Sequence, residues 1–243
     1  AALEPCSSRA QVGLVFTWFL PLGVSMIRVA DLRKQFKVTK RMRKELGASA
    51  PEGDHIAAVD GVSFECRPGR VFGLIGPNGA GKTTALRMVA TMLKPSSGSI
   101  TVAGFDTVQQ SQEVRSSIGF LTGNTGLYDR LTATEMGRYH ADLHGMDEGR
   151  FEERKRYLFS TLGMEGFADR RIARLSTGMR QKVAIARTII HDPPVIVFDE
   201  PTAGLDVMTS RAIVELVRTS RDEGKTVLFS THVMGEVKLL CDD

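Results

Sequence analysis

The sequence predicts an α/β fold with a parallel sheet at its centre, and three observations carry that prediction. Two short apolar runs, Val71-Phe72-Gly73-Leu74-Ile75 and Val195-Ile196-Val197-Phe198, have the length and unbroken hydrophobicity of strands buried on both faces. Each runs directly into polar residues: the first into Gly76-Pro77-Asn78-Gly79-Ala80-Gly81-Lys82-Thr83-Thr84, the second into Asp199-Glu200-Pro201. After the glycine-rich segment, Leu86, Val89 and Ala90 recur at helical spacing, so a strand, a loop and a helix from Thr84 to Met92 follow one another. Open parallel sheets bind ligands beyond the carboxyl ends of their strands, which places both polar segments at one site.

The glycine-rich segment fits the P-loop pattern G-x-x-x-x-G-K-[ST] of P-loop NTPases. Gly76, Gly79 and Gly81 allow backbone conformations and close approaches that a Cβ would block. Backbone N–H groups of the segment, Asn78, Ala80 and Thr84 included, then point into one concavity suited to anionic oxygens, and the following helix adds its positive end. Lys82 is placed to bridge the β- and γ-phosphates of a nucleotide, and the Thr83 hydroxyl to ligate Mg²⁺. In the second segment Asp199 is the carboxylate for the Mg²⁺ shell. Glu200, one residue on, is suited to orient or deprotonate an attacking water. The two segments together imply ATP hydrolysis.

Between them lies Leu175-Ser176-Thr177-Gly178-Met179-Arg180-Gln181-Lys182, and here the chain resembles the ATP-binding-cassette (ABC) ATPases. Their signature usually reads Leu-Ser-Gly-Gly-Gln, so this copy departs at Thr177 and Met179. Ser176 reads as a helix N-cap and Gly178 as a place where backbone approaches a phosphate. Further along, Ala203-Gly204-Leu205-Asp206 resembles the family's D-loop; Val227-Leu228-Phe229-Ser230-Thr231-His232 reads as a buried strand ending in a histidine, and His232 looks like the family's switch histidine, which the resemblance implies contacts the γ-phosphate. The runs 119–128 and 189–194 are similar to those of bacterial sodium-efflux ATP-binding subunits of NatA type.

The resemblance covers residues 26–243 and implies one ABC ATPase domain with an antiparallel β subdomain and an inserted helical subdomain at about 126–192. Within the insertion, Thr132-Ala133-Thr134-Glu135 is a capping box and Arg150 to Leu162 an amphipathic helix. ATP and Mg²⁺ are the implied cofactors. A separate integral-membrane permease is the implied partner, and no nucleic acid is expected. Ser176 and Gly178 lie on the helical lobe, away from Lys82, so a second copy facing the first head to tail is expected to complete each ATP site. The family's adenine-stacking aromatic follows the first strand, where Phe36 is the candidate after residues 27–32. The family's glutamine after the strand at 118–121 is replaced by Gly123, which leaves Asn124 or a water to complete the metal shell.

Composition agrees with this reading. The chain has 243 residues, 42% of them hydrophobic and 25% charged, with a formal net charge of +4 that points to neither nucleic acid nor a lipid surface. Cys6, Cys66 and Cys241 have no metal-ligand spacing and suit a reducing compartment. Residues 1–25, with an apolar run at 12–24 too short to span a bilayer, are expected to be a non-native or disordered leader, and the chain is expected to be truncated at its C-terminal end. The basic stretch Lys37, Lys40, Arg41, Arg43 and Lys44 has two readings, a solvated loop or a contact with lipid headgroups or an acidic partner. Two function classes stand: the cytoplasmic motor of an ABC exporter, with Na⁺ as the implied substrate, and a soluble ABC ATPase acting on nucleic acid or ribosomes.

Overall fold

The computed structural model describes residues 25–39, 43, 53–123 and 126–242. In chain order its elements are β1 (Ile27–Lys37), β2 (His55–Cys66), β3 (Val71–Ile75), α1 (Lys82–Val89), β4 (Ser97–Val102), β5 (Phe105–Asp106), α2 (Ser111–Ser117), β6 (Ile118–Leu121), α3 (Ala133–Leu143), α4 (Glu148–Leu162), α5 (Thr177–Ile189), β7 (Val195–Asp199), α6 (Val207–Asp222), β8 (Thr226–Thr231) and α7 (Met234–Leu240). Of the residues singled out above, 1–24 with Cys6 among them, Lys40, Arg41, Lys44 and Asn124 lie outside the described ones.

The strands form two four-stranded sheets, one in the order β2-β1-β4-β5 and the other β3-β8-β7-β6. The first is antiparallel and the second wholly parallel. Alternation along β7, buried at every position, explains why its apolar run lacks polar interruptions; β3, expected to be buried likewise, is an edge strand buried only at Val71, with Ile75 47% exposed. Val195 and Val197 of β7, with Leu228 of β8, face α1 and the antiparallel sheet, where Leu86, Met88, Ile27, Val29, Ile100 and Val102 fill the core. Ile196, Phe198, Val227 and Phe229 face the other way, onto Val183, Ile185 and Ile189 of α5 and Leu216 and Val217 of α6. A strand whose two faces are both dry must be apolar at every position.

The segment between β6 and β7 is helical. Its first helix opens with both halves of the capping box in place: Glu135 N–H donates to Thr132 Oγ1 (3.1 Å) and Thr132 N–H to Glu135 Oε2 (2.8 Å). Asp147 caps α4 by accepting from Arg150 N–H (2.9 Å), and Gly163 at φ 59° ends it in the left-handed region. Asp192, just before β7, accepts from Lys225 (2.5 Å) and pairs with Arg154 of α4 (3.1 Å), tying the helical segment to the turn ahead of β8. His140, His144 and His191 gather beside it, the last two with rings stacked 3.7 Å apart. Burial pushes His191 down to about 3, helped by His144, and His140 down to about 4, helped by Arg187.

Three expected boundaries shift. The helix after the P-loop ends at Val89 rather than Met92, because Thr91 turns left-handed (φ 61°) and the Met92 and Leu93 N–H groups close back on Arg87 O. β1 runs past Leu32 to Lys37, so Phe36 lies inside the strand, opposite Ile56, rather than after it. The strand survives because irregularities in its pairing between Val29 and Gln35 absorb Asp31, whose φ is 43°. His232 falls one residue beyond β8, which ends at Thr231.

Candidate active site

β3 and β7 both deliver their carboxyl ends to one cleft of about 570 Å³. Asn78, Gly79, Ala80, Gly81, Lys82, Thr83 and Thr84 line it from the P-loop side, Asp199 and Glu200 from the β7 side, and Gly123 from beyond β6. Ala58 and Arg87 line it too; neither belongs to a motif. The loop is held in a conformation that only glycine adopts readily. Gly79 and Gly81 sit at φ 84° and 87°, and a Cβ on Gly81 would lie 2.2 Å from Ala58 O. The first turn of α1 carries no acidic residue, so no carboxylate of the helix itself competes for its first N–H groups.

Lys82 is 7% exposed, and its Nζ donates to Gly76 O (2.7 Å) and Pro77 O (3.1 Å) while standing 3.3 Å from Glu200 Oε1. The other oxygen of Glu200 lies 3.2 Å from His232 Nδ1. Lys82, Glu200 and His232 therefore converge from three separate stretches of chain. Glu200 itself is strained, at φ 49°, and its N–H is anchored twice by Ser230, to O (3.2 Å) and to Oγ (3.0 Å). The same Ser230 hydroxyl donates to Asp199 Oδ1 (2.7 Å), so one side chain orients both neighbouring carboxylate residues. Asp199 is 6% exposed.

Phe36, Gly76, Ser176, Gly178 and His232 are not among the lining residues; Gly76 meets the cleft through Lys82 and His232 through Glu200. Phe36 is half-buried, with Lys34 Nζ 5.2 Å above its ring. Ser176 caps α5 as expected, accepting from Met179 N–H (3.3 Å). Gly178 has an unforeseen neighbour within the chain: its missing Cβ would meet Thr209 Oγ1 at 2.9 Å and Asp206 Oδ2 at 3.3 Å. Asp206 caps α6, accepting from Thr209 N–H (2.9 Å) and Thr209 Oγ1 (2.8 Å), and those bonds hold its carboxyl below the usual range. The signature helix and the D-loop helix are thus packed together. Gln181 of α5 adds a bond to Pro201 O (2.8 Å).

The donor set suits a metal nucleotide. Among the described residues no cluster of three His, Cys, Asp or Glu side chains is built to hold a metal alone. Mg²⁺ on a nucleotide needs only one or two protein oxygens besides phosphate and water, and Thr83 and Asp199, which both line the cleft, carry oxygens of that kind. No helix among the described residues is long and apolar enough to cross a membrane.

Comparison with known proteins agrees with this geometry. Residues 59–203 match the family model described as ABC transporter. The chain is 46% identical over 218 residues to the ABC transporter ATP-binding protein NatA of Bacillus subtilis, covering 89% of this chain and 83% of that one. It is 36% identical over 190 residues to the Nod factor export ATP-binding protein I of Cupriavidus metallidurans, covering 78% of this chain and 62% of that one. It is also 34% identical over 184 residues to a linearmycin resistance ATP-binding protein of Bacillus subtilis, covering 76% and 59%. The chain thus spans about three-fifths of the length of the last two. Among solved structures it is similar to an ATP-binding subunit of an ABC transporter (TM-score 0.75, 28% identity, 90% of this chain and 84% of that one). It is equally similar to a dimeric ATP-binding cassette in a post-hydrolysis state bound to ADP and Pi (TM-score 0.75, 26% identity, 88% and 91%). With the P-loop, the Asp199-Glu200 strand end and the signature helix placed as they are, the chain belongs to the ABC transporter family, as one of its ATP-binding, ATP-hydrolysing cassettes.

Proposed function

We propose that this cassette powers export through a separate membrane permease, working as a peripheral subunit on the cytoplasmic face of a bacterial membrane. The convergence of Lys82 and His232 on the two oxygens of Glu200, at 3.3 and 3.2 Å, is the observation that carries the reading. The P-loop N–H groups and Lys82 hold the β- and γ-phosphates of ATP, and Phe36 stacks on the adenine. Thr83 and Asp199 hold Mg²⁺, which when bound offsets charge on the phosphate oxygens. Glu200 orients the attacking water and takes its proton, while His232 contacts the γ-phosphate and holds the far oxygen of Glu200. A γ-phosphate competes for the Lys82 ammonium that Glu200 otherwise shares, which frees that carboxylate for the water.

Ser176 and Gly178 lie outside the cleft that holds Lys82, so a second copy facing the first is needed to bring a signature helix onto each γ-phosphate. A dimer of this kind is bound partly by nucleotide and strengthens with its concentration. Na⁺ is the substrate implied by the runs at 119–128 and 189–194, and the export direction agrees with the name of the Nod factor relative. In the full-length protein, Glu200→Gln is expected to keep ATP affinity while turnover falls about 10²-fold to 10⁴-fold. Lys82→Ala is expected to lose affinity itself. Wild-type hydrolysis by Glu200→Gln would remove Glu200 from the chemistry.

A further inference from the structure

We propose that Glu236 is a positioning residue for hydrolysis, one that locks the segment carrying Glu200 to the segment carrying His232. Glu236 lies in the first turn of α7 and spends its two carboxylate oxygens on two different stretches of chain, the turn after β7 and the end of β8. Oε1 accepts from Thr202 Oγ1 (2.5 Å), two residues after Glu200. Oε2 accepts from Thr231 Oγ1 (2.7 Å), the residue before His232. Thr231 Oγ1 in turn accepts from Val233 N–H (3.0 Å), so both residues flanking His232 are tied into the same bonds. Thr202 and Thr231 are 8% and 2% exposed, which shields these bonds from competing water.

Nearness in sequence, five residues, accounts for the Thr231 contact but not for the Thr202 contact, which crosses 34 residues of sequence. That second bond matters because of what lies between the anchors. Glu200 is held at φ 49° with its N–H fixed on Ser230 and, two residues on, Thr202 fixed on Glu236. A strained residue persists only where its surroundings over-determine it. With Glu236 removed, the bond of Gln181 to Pro201 O remains but the tie from Thr202 to Thr231 is gone, and the 3.2 Å separation between Glu200 Oε2 and His232 Nδ1 loses one of the cross-ties that hold it. Glu236 does not line the nucleotide cleft; it acts through Glu200, which does, and through His232, which pairs with Glu200.

The inference rests on the roles given to Glu200 and His232 above. It is tested in the full-length protein by measuring kcat, KM for MgATP and equilibrium affinity for a fluorescent ATP analogue. Glu236→Ala is expected to lower kcat about 10-fold to 100-fold, the cost of misplacing a reacting group, with KM and affinity changed less than about twofold. Glu236→Gln, whose amide can accept from one hydroxyl and donate to the other, is expected to recover most of the loss. Thr202→Val, which cuts only the long-range bond, is expected to reproduce much of the Glu236→Ala effect, and the double variant to be no worse than Glu236→Ala. A kcat within twofold of wild type in both Glu236→Ala and Thr202→Val overturns the proposal. So does a parallel loss of kcat and nucleotide affinity that Glu236→Gln fails to rescue. If those variants are unchanged while Glu200→Gln is inactive, only the positioning role falls; if Glu200→Gln is active, the underlying site assignment falls with it.

Discussion

Replacing Ser230 with alanine isolates the group that orients both carboxylates of the cleft. Ser230 is fully buried in β8, and its hydroxyl donates to Asp199 Oδ1 at 2.7 Å while accepting from Glu200 N–H at 3.0 Å. The two losses are unequal. Glu200 N–H retains the Ser230 carbonyl at 3.2 Å, so its donor is not orphaned, whereas the buried Asp199 carboxylate loses a charge-assisted bond. Hydrogen bonds to charged groups contribute about 1.5–3 kcal/mol, and the expected destabilisation is therefore about 2 kcal/mol. For a chain of this size that lowers the thermal midpoint by roughly 4–8 °C. Because Asp199 is then free to turn, the Mg²⁺ concentration that half-saturates ATP hydrolysis is expected to rise severalfold. Differential scanning calorimetry and a Mg²⁺ titration of hydrolysis read the two effects separately. A midpoint within about 1 °C of wild type and an unchanged titration would show that the hydroxyl orients nothing.

Two other perturbations test the structure. Gly79 and Gly81 share nearly the same φ, yet a Cβ at 79 meets nothing within 4 Å and one at 81 strikes Ala58 O; Gly79→Ala is expected to cost only left-handed strain of about 1–2 kcal/mol, while Gly81→Ala abolishes binding of a fluorescent ATP analogue, and equal effects would refute the clash. His191 and His140 titrate at about 3 and about 4 in the folded chain, below the 6.5 of an unfolded histidine, so the unfolded state binds more protons and stability should fall as pH drops from about 6.5 toward 4; urea denaturation at pH 7.5, 6 and 5 checks this, and His191→Gln should flatten the dependence.

The sequence was most legible where chemistry is written into contiguous residues. The P-loop, the Asp199-Glu200 strand end, the Thr132 capping box and the Ser176 cap are all local patterns, and the structure places each as the spacing implies. What stayed hidden depends on contacts distant in sequence. Ala58 enters the cleft because β2 passes over the P-loop, and nothing in its neighbours says so. Ser230 reads as one more small residue in an apolar strand until Asp199 pairs beside it. Gly178 suggests approach to a phosphate, yet within the chain its small size is already required by Thr209 and Asp206. Phe36 was expected beyond a strand that in fact continues through it, because irregular pairing is invisible to a count of alternating residues.

The strand order β3-β8-β7-β6 also bears on how the chain is made. The strand leading into the P-loop finds its hydrogen-bonding partner in register Val71 to Val227, roughly 150 residues later. At a synthesis rate of about 5–20 residues per second, that apolar segment emerges roughly 8–30 s before its partner exists. The antiparallel sheet, whose β1, β2 and β4 all lie within the first 102 residues, can assemble in that interval, but the half of the cleft that grips phosphate cannot. Nascent chains interrupted before β8 would therefore present an unsatisfied strand edge next to an unformed nucleotide cradle, a species for chaperones or proteases rather than one that ATP could rescue.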